Sequence, residues 1–203
     1  MSEGDPRSYH HGNLRAALVQ AALDMIKNRG LAGLAVAEIA RAVGVSPAAP
    51  YRHFRDRNAL IAEVARGGFE RLTAALERAR TEGRADPVLA LERCGRAHLA
   101  FAAKEPAAYS AMFQGGVEGD PLVQAATDAA FAVLRRVADE ACARAARPPP
   151  TLMVALHIWA MTHGVAALYL GPNRRMLPMT PEDLLEAGML LYLQSLGISA
   201  PSS

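Results

Sequence analysis

A glycine between two short segments near the N-terminus constrains the fold more than any other feature of this chain. Residues 36–43 place their apolar side chains on one face of a helix. Gly44 then ends that helix, because glycine adopts a left-handed backbone at little steric cost. Ser46 is a helix-capping residue, and Pro47 suits the first position of a new helix. The pattern predicts two short helices joined by a tight turn, the second running from Ser46 to about Phe54.

The rest of the chain also shows helical spacing. Apolar residues recur at three- and four-residue steps in 13–29, which ends at Gly30, and in a longer segment at 58–80. Alanine is abundant and β-branched residues are sparse, which favours helices over strands. We therefore predict an all-α fold. Proline and glycine divide the remaining chain into predicted helices at 86–104, 107–114, 121–146, 150–170 and 181–196.

Basic residues are concentrated in the N-terminal part, although the formal net charge of the whole chain is only +2. Up to Arg57 there are eight Lys and Arg residues against five Asp and Glu residues, whereas the rest has fourteen against fifteen. A polyanionic partner would therefore meet the N-terminal part first. The spacing of 36–54 is also that of a helix-turn-helix, whose second helix can enter the major groove of DNA.

Cysteine spacing and the N-terminal sequence restrict the compartment and the metal chemistry. Cys94 and Cys142 have no spacing typical of zinc ligands, so we expect reduced, buried thiols, no metal and no cofactor. The N-terminus lacks the apolar core of a signal peptide, and no apolar run is expected to reach the length of a membrane span. These features predict a cytoplasmic protein without a membrane partner.

The residues I-A-x-x-x-G-V-S-x-x-x-x-Y-x-H-F at 39–54 resemble the DNA-binding signature of the TetR family of transcription regulators. Flanking residues at 9–15 and 57–60 extend the resemblance. The resemblance implies a homodimer that binds double-stranded DNA with a palindromic operator, and an unidentified small-molecule effector. It also implies an N-terminal three-helix helix-turn-helix domain followed by a helical ligand-binding and dimerisation domain. The expected boundaries are 1–57 for the first, with a flexible arm at 1–12, 58–198 for the second, and a tail at 199–203.

The resemblance assigns DNA contacts to the positions that match the signature. Ser46 would cap the recognition helix. The residues after it would approach base edges: Pro47, Ala48 and Ala49. Ala48 and Ala49 are short and offer mainly apolar contact, for example to a thymine methyl. Other residues would face phosphates or nearby bases: Tyr9, His10, Tyr51, Arg52, His53 and Arg57.

Three positions depart from the usual TetR pattern. Ala35 stands where Thr is common, so the second helix is expected to lack a side-chain cap worth roughly 1 kcal/mol. Pro50 replaces a common Leu and removes one early hydrogen bond, so the recognition helix is expected to start irregularly. Arg57 replaces a common Lys, which keeps the charge and adds a forked donor.

The last two predicted helices carry more leucine than one buried stripe requires. A second apolar face usually packs against a partner. The resemblance suggests that these helices form a four-helix bundle with a second subunit, in which Gly164 and Gly188 permit close helix approach. The residues expected at this interface are Leu156, Gly164, Leu168, Leu184, Gly188 and Leu191.

A Trp-x-x-x-His-Gly element at 159–164 is similar to one that marks a C-terminal subgroup of the TetR family, the WHG domain. Trp159 and His163 are four residues apart and share a helix face, where they could border a ligand cavity or simply pack in the core. Other aromatic and Met residues suit either an apolar pocket or a helical core. The full candidate set is His98, Phe101, Tyr109, Met112, Phe113, Phe131, Trp159 and His163.

Two alternatives to an effector-released repressor stay open on the sequence. A metal-binding helical enzyme would need Glu-x-x-His pairs on facing helices, and the sequence contains none. It also lacks a recognisable Gly-rich phosphate loop or Ser nucleophile elbow, so we expect no enzyme activity. A helical interaction protein with a helix-turn-helix that does not bind DNA is compatible with Ala35 and Pro50. The sequence does not specify the effector, the operator, the target genes, or repression rather than activation.

Overall fold

The structure is a computed structural model that describes residues 9–82, 86–170 and 178–199, with only the backbone described for 9–13 and 170. Every regular element in these ranges is a helix, which confirms the predicted all-α fold. The α-helices are α1 Tyr9–Arg29, α2 Val36–Val43, α3 Arg57–Thr81, α4 Pro87–Lys104, α5 Pro106–Gln114, α6 Pro121–Cys142, α7 Thr151–Leu170 and α8 Pro181–Ser195. Two 3₁₀ helices, Leu31–Gly33 and Pro50–Arg52, lie on either side of α2.

Proline and a capping side chain start several of the later helices. The Asp86 carboxylate accepts hydrogen bonds from the Val88 and Leu89 N–H groups, and Pro87 follows it at the first position of α4. The Thr180 hydroxyl accepts from the Asp183 N–H at 3.1 Å and starts α8 in the same way. Since the first N–H groups of a helix have no intrahelical partner, proline costs nothing there and the cap satisfies a free donor.

Residue contacts divide the chain into two compact units, each with its own core. The first unit comprises 1–68 and 107–124, and its fully buried side chains include Leu18, Ile39, Leu60 and Ile61. The second unit comprises 69–106 and 125–203, and its fully buried side chains include Leu72, Leu91, Leu99, Ile158 and Leu185. The domain boundary expected at residue 57 stays a prediction.

The segment expected to form one helix from Ser46 to Phe54 is not continuous. It forms a turn and then the 3₁₀ helix Pro50–Arg52. Pro50 has no N–H, so the Ser46 carbonyl accepts from the Ala49 N–H at 3.0 Å, three residues on, instead of from residue 50. The Arg52 and His53 N–H groups then donate to the Ala49 and Pro50 carbonyls, also three residues back, at 3.2 and 2.9 Å. The irregularity expected at Pro50 therefore extends through the whole segment.

Two other sequence-based expectations need correction. Helix α6 ends at Cys142 and not at 146, because the chain turns there through a hydrogen bond from the Ala145 N–H to the Cys142 carbonyl at 3.1 Å. Helix α7 is long and apolar enough over Thr151–Tyr169 to cross a membrane, by length and composition alone. Within the chain, 33% of that stretch is buried.

Candidate nucleic-acid interface

The turn after α2 exposes the residues expected to touch DNA. Ser46, Pro47 and Ala48 are exposed, and Ala49 is half-buried. After them, Tyr51 is 55% exposed and Arg52 is exposed, while His53 is half-buried. We refer to residues 46–53 as the recognition tip. It presents short apolar side chains first and hydrogen-bonding or charged side chains second, as groove and phosphate contacts require.

The geometry of the turn itself follows from Gly44. Its backbone has φ 77° and ψ 29°, the left-handed region, and no atom lies near the position that a Cβ would occupy. The Val45 N–H donates to the Ala40 carbonyl at 2.9 Å and closes the end of α2. Ala40 is fully buried. Glycine is therefore required here for its backbone conformation and not for space.

Phe54 anchors the C-terminal end of the recognition tip. Its side chain is buried, and the Arg15 guanidinium from α1 lies 5.0 Å from the centre of its ring. Arg15 also forms an ion pair with Glu63 of α3, and Arg66 forms a second one at 2.7 Å. These hydrogen bonds, that of Arg66 first, lower the pKa of Glu63 to about 2. Sequence reasoning did not identify this network, because its members are far apart in the chain.

The start of α2 has no side-chain cap, as the sequence predicted. Ala35 is the capping residue and makes no side-chain hydrogen bond. Its backbone N–H donates to the Met25 Sδ at 3.3 Å, and its carbonyl accepts from the Glu38 and Ile39 N–H groups at 3.1 Å each.

Arg57 points toward the polypeptide backbone. Its Nε donates to the Leu34 carbonyl at 3.0 Å, and its Nη2 donates to the Leu31 carbonyl. The preceding residue, Asp56, caps α3 by accepting from the Ala59 N–H at 2.8 Å, and this hydrogen bond is the main reason that the pKa of Asp56 is lowered. Asp56 was not predicted as a cap, although an Asp three residues before Ala59 is the expected signal.

Two of the expected contacts have side chains outside the described part of the structure. Tyr9 and His10 form the beginning of α1, where only the backbone is described.

The residues expected to line an effector pocket fall in both units. In the second unit, His98 of α4 is 2% exposed and lies against Trp159 of α7 edge to face, with ring centres 5.2 Å apart. Phe131 packs on the same indole at 5.8 Å. Burial, with a smaller effect from His163, lowers the pKa of His98 to about 3. His98 is therefore neutral near pH 7, and its imidazole has one nitrogen that can donate a hydrogen bond and one that can accept.

The other expected pocket residues lie elsewhere. Phe101 is buried beside a groove of about 480 Å³ that α3 and α4 form in the second unit. Tyr109 and Phe113, in the first unit, have ring centres 4.7 Å apart, and burial raises the pKa of Tyr109. Met112, also in the first unit, fills the space beside Gly68.

The residues expected at a dimer interface divide between a free surface and the contact of α7 with α8. Gly164 is exposed with no atom near its Cβ position, whereas the Cβ position of Gly188 is 2.9 Å from the Met161 Sδ of the same chain. Gly188 therefore permits α7 and α8 to approach each other, and Leu184 is half-buried. We define the apolar face as the large apolar side chains of α7 and α8 that are 37–69% exposed: Leu152, Met153, Leu156, Leu168, Leu190 and Leu191.

Comparison with known proteins agrees with these features. Residues 18–64 match the family model for bacterial regulatory proteins of the tetR family, and residues 91–192 match the Tetracyclin repressor-like C-terminal domain. No curated protein matches the sequence significantly.

Solved structures share the fold over nearly the whole chain. A protein of unknown function from Rhodococcus sp. RHA1 is 32% identical with a TM-score of 0.81, over 96% of this chain and 100% of its own. PfmR, a TetR family transcriptional regulator from Thermus thermophilus, is 24% identical with a TM-score of 0.68, over 87% and 97%. AibR, solved with isovaleryl coenzyme A and operator DNA, is 17% identical with a TM-score of 0.66, over 87% and 96%. The chain therefore belongs to the TetR family of DNA-binding transcriptional regulators, which are not enzymes.

Proposed function

We propose that this TetR-family regulator is a homodimeric repressor that a small-molecule effector releases from a palindromic operator. The observation that carries the proposal is the recognition tip, whose exposed side chains project from a turn that Gly44 and the buried Phe54 hold in place. An exposed tip of this composition suits the major groove, where its side chains can reach base edges.

The DNA contacts divide by chemistry along the tip. Pro47 and Ala48 are small and apolar, which suits the methyl group of thymine, and Ser46 adds a hydroxyl. Arg52 and Tyr51 are exposed donors that suit phosphates, with His53 beside them. Tyr9 and His10 would add contacts from the start of α1.

A second copy of the chain is the proposed cover for the apolar face. Helix α7 is apolar enough to cross a membrane, yet only a third of it is buried within one chain. Among the described side chains of α7 and α8, six large apolar ones are exposed. The His157 Nδ1 lies 2.8 Å from the Tyr192 hydroxyl and links the two helices. Two copies related by a twofold axis would bury this surface and match the symmetry of a palindrome.

The effector is proposed to bind in the second unit near His98, Trp159 and Phe131. Aromatic walls with one or two neutral hydrogen-bonding groups suit a small, mainly apolar molecule. AibR, which has the same fold, was solved with isovaleryl coenzyme A. Its 17% sequence identity to this chain supports a shared fold and not a shared ligand. Because α3 continues from the first unit into the second, a shift of its C-terminal part by the effector would be transmitted toward the DNA-binding unit.

Two further features remain proposals. Placement in the WHG subgroup rests on the Trp159, His163 and Gly164 pattern, and the C-terminal model that matches is the Tetracyclin repressor-like one. Cytoplasmic location is proposed from the function, since operator DNA is there.

The test is fluorescence anisotropy of the purified protein with DNA from its own upstream region, over a salt series and against unrelated DNA. Selective, salt-dependent binding with two chains per operator is expected. Arg52→Ala should weaken it, whereas the matched variant Arg135→Ala, on the exposed side of α6, should not. If the wild type binds no DNA at low salt, the chain is an interaction protein that keeps the fold.

A further inference from the structure

The contacts of Arg57 differ from those expected of a phosphate ligand, whose charged group would face solvent in the absence of DNA. Its guanidinium is part-buried, and both Nε and Nη2 donate to backbone carbonyls, those of Leu34 and Leu31. A planar guanidinium can reach two carbonyls at once, whereas a lysine ammonium acts as a single point charge. The resemblance to the family had suggested a phosphate contact at this position.

The backbone that Arg57 contacts leads directly into α2. Within the turn, the Gly33 N–H donates to the Gly30 carbonyl at 3.2 Å and the Leu34 N–H to the Leu31 carbonyl at 3.1 Å. The 3₁₀ helix Leu31–Gly33 contains no buried residue, and Ala35 supplies no side-chain cap. Leu34 is buried, and an ion pair of Arg29 with Glu38 at 2.5 Å is largely exposed. Exposed ion pairs stabilise little, so the buried Leu34 side chain and the Arg57 hydrogen bonds are the main side-chain restraints on this turn.

The position of Arg57 in α3 adds an electrostatic argument. It is the first residue of α3, where the helix dipole disfavours a positive charge. Carbonyl oxygens of the neighbouring turn offset that repulsion, since hydrogen bonds from a charged donor are stronger than neutral ones. The side chain is therefore held toward the turn by the local field as well as by geometry.

We propose that Arg57 is a positioning residue for operator binding, which fixes the Leu31–Leu34 turn and thereby the start of α2, and is not a phosphate ligand. Helix α2 ends at Val43, and only Gly44 and Val45 separate it from the recognition tip, so a displaced α2 displaces the tip. This inference rests on the DNA binding proposed above.

The test compares Arg57→Lys with Arg57→Ala. Lysine keeps the charge but loses the fork, so both variants should lower operator affinity by about tenfold, the effect expected for losing a charged hydrogen bond. The salt dependence should keep the wild-type slope in both. Hydrogen exchange without DNA should become faster at the Glu38 and Ile39 N–H groups, which bond to the Ala35 carbonyl. Lys27→Ala, which removes an exposed charge from α1, should change neither affinity nor exchange.

A rescue variant separates positioning from contact. Ala35→Thr adds the missing cap to α2 and should restore most of the affinity and exchange protection in the Arg57→Lys background. Wild-type affinity in Arg57→Lys, with a slope reduced by about one in Arg57→Ala, would identify a phosphate ligand and overturn the proposal. Unchanged exchange in Arg57→Lys would also overturn it. Failure of the wild type to bind DNA would instead refute the proposed function. The exchange measurement would still test whether Arg57 holds the turn, because it is made without DNA.

Discussion

Replacing Leu191 by glutamate should dissociate the proposed dimer. Leu191 is 69% exposed in the single chain, the largest exposed fraction among the large apolar side chains of α8. Burying a whole leucine side chain contributes about 2 kcal/mol, so covering this fraction contributes roughly 1.4 kcal/mol per copy. In a twofold dimer both copies of Leu191 are buried, so the free energy of dimerisation would fall by about 3 kcal/mol. This raises the Kd of the dimer about 100-fold. Two buried carboxylates would raise it further.

The assay is sedimentation velocity over a concentration series, with Leu122→Glu as the matched control. Leu122 lies at the start of α6 and is 65% exposed, nearly as much as Leu191, but it lies outside the apolar face. The control should sediment like the wild type, while Leu191→Glu should remain a monomer at concentrations where the wild type is a dimer. An unchanged Kd in Leu191→Glu would refute the assignment of the apolar face. Binding of the wild type to lipid vesicles, with no dimer in solution, would assign the face to a membrane.

Three further predictions concern stability. Because the folded pKa of Glu63 is about 2, its ion pairs stabilise the fold fully above the unfolded pKa of about 4.3, and this stabilisation is lost as the pH falls toward 2. In urea titrations, the free energy of unfolding of Glu63→Gln should therefore fall less steeply over this pH range than that of the wild type. Equal slopes for the two proteins would contradict this prediction. Burial lowers the pKa of His98 to about 3, so the stabilisation that depends on its neutral form is complete above about pH 6.5 and falls at lower pH, by at most about 1.4 kcal/mol per pH unit. In the same titrations, the free energy of unfolding of His98→Gln should change less between pH 7 and 5 than that of the wild type. Equal slopes would count against a buried neutral imidazole. Gly44→Ala forces a side chain into φ 77° and should cost about 1 kcal/mol in thermal unfolding, whereas Gly119→Ala, in open space without a positive φ, should be nearly neutral; equal effects of the two would show that Gly44 is not under this constraint.

Local sequence determined most of the helices. Repeating apolar residues and the start signals at Pro87 and Pro181 are short-range features, so helix bounds could be predicted to within a few residues. The position of the turn at Gly44 could also be predicted, because the left-handed conformation is a property of one residue. The helix from Ser46 to Phe54 was predicted wrongly, since one missing N–H at Pro50 changed the hydrogen bonding of the whole segment.

Side-chain partners depended on tertiary structure. Sequence identified Arg57 as a positive charge near the motif, but only the fold brought its fork onto the carbonyls of Leu31 and Leu34. Likewise, helical spacing could not show that Gly188 faces Met161 while Gly164 is exposed, or that the expected pocket residues fall in two units.

The sequence alone therefore determined an all-helical chain with a turn at Gly44, because helix periodicity, capping and turn formation depend on neighbours in the chain. It also showed the motif at 39–54 that resembles the TetR signature. Only the tertiary structure showed that Arg57 binds the carbonyls of Leu31 and Leu34, and that Arg15 contacts both Phe54 and Glu63. It also showed which leucines of α7 and α8 are exposed. These features depend on which distant segments pack together, and the contacts between distant residues leave no periodic signal in a single sequence.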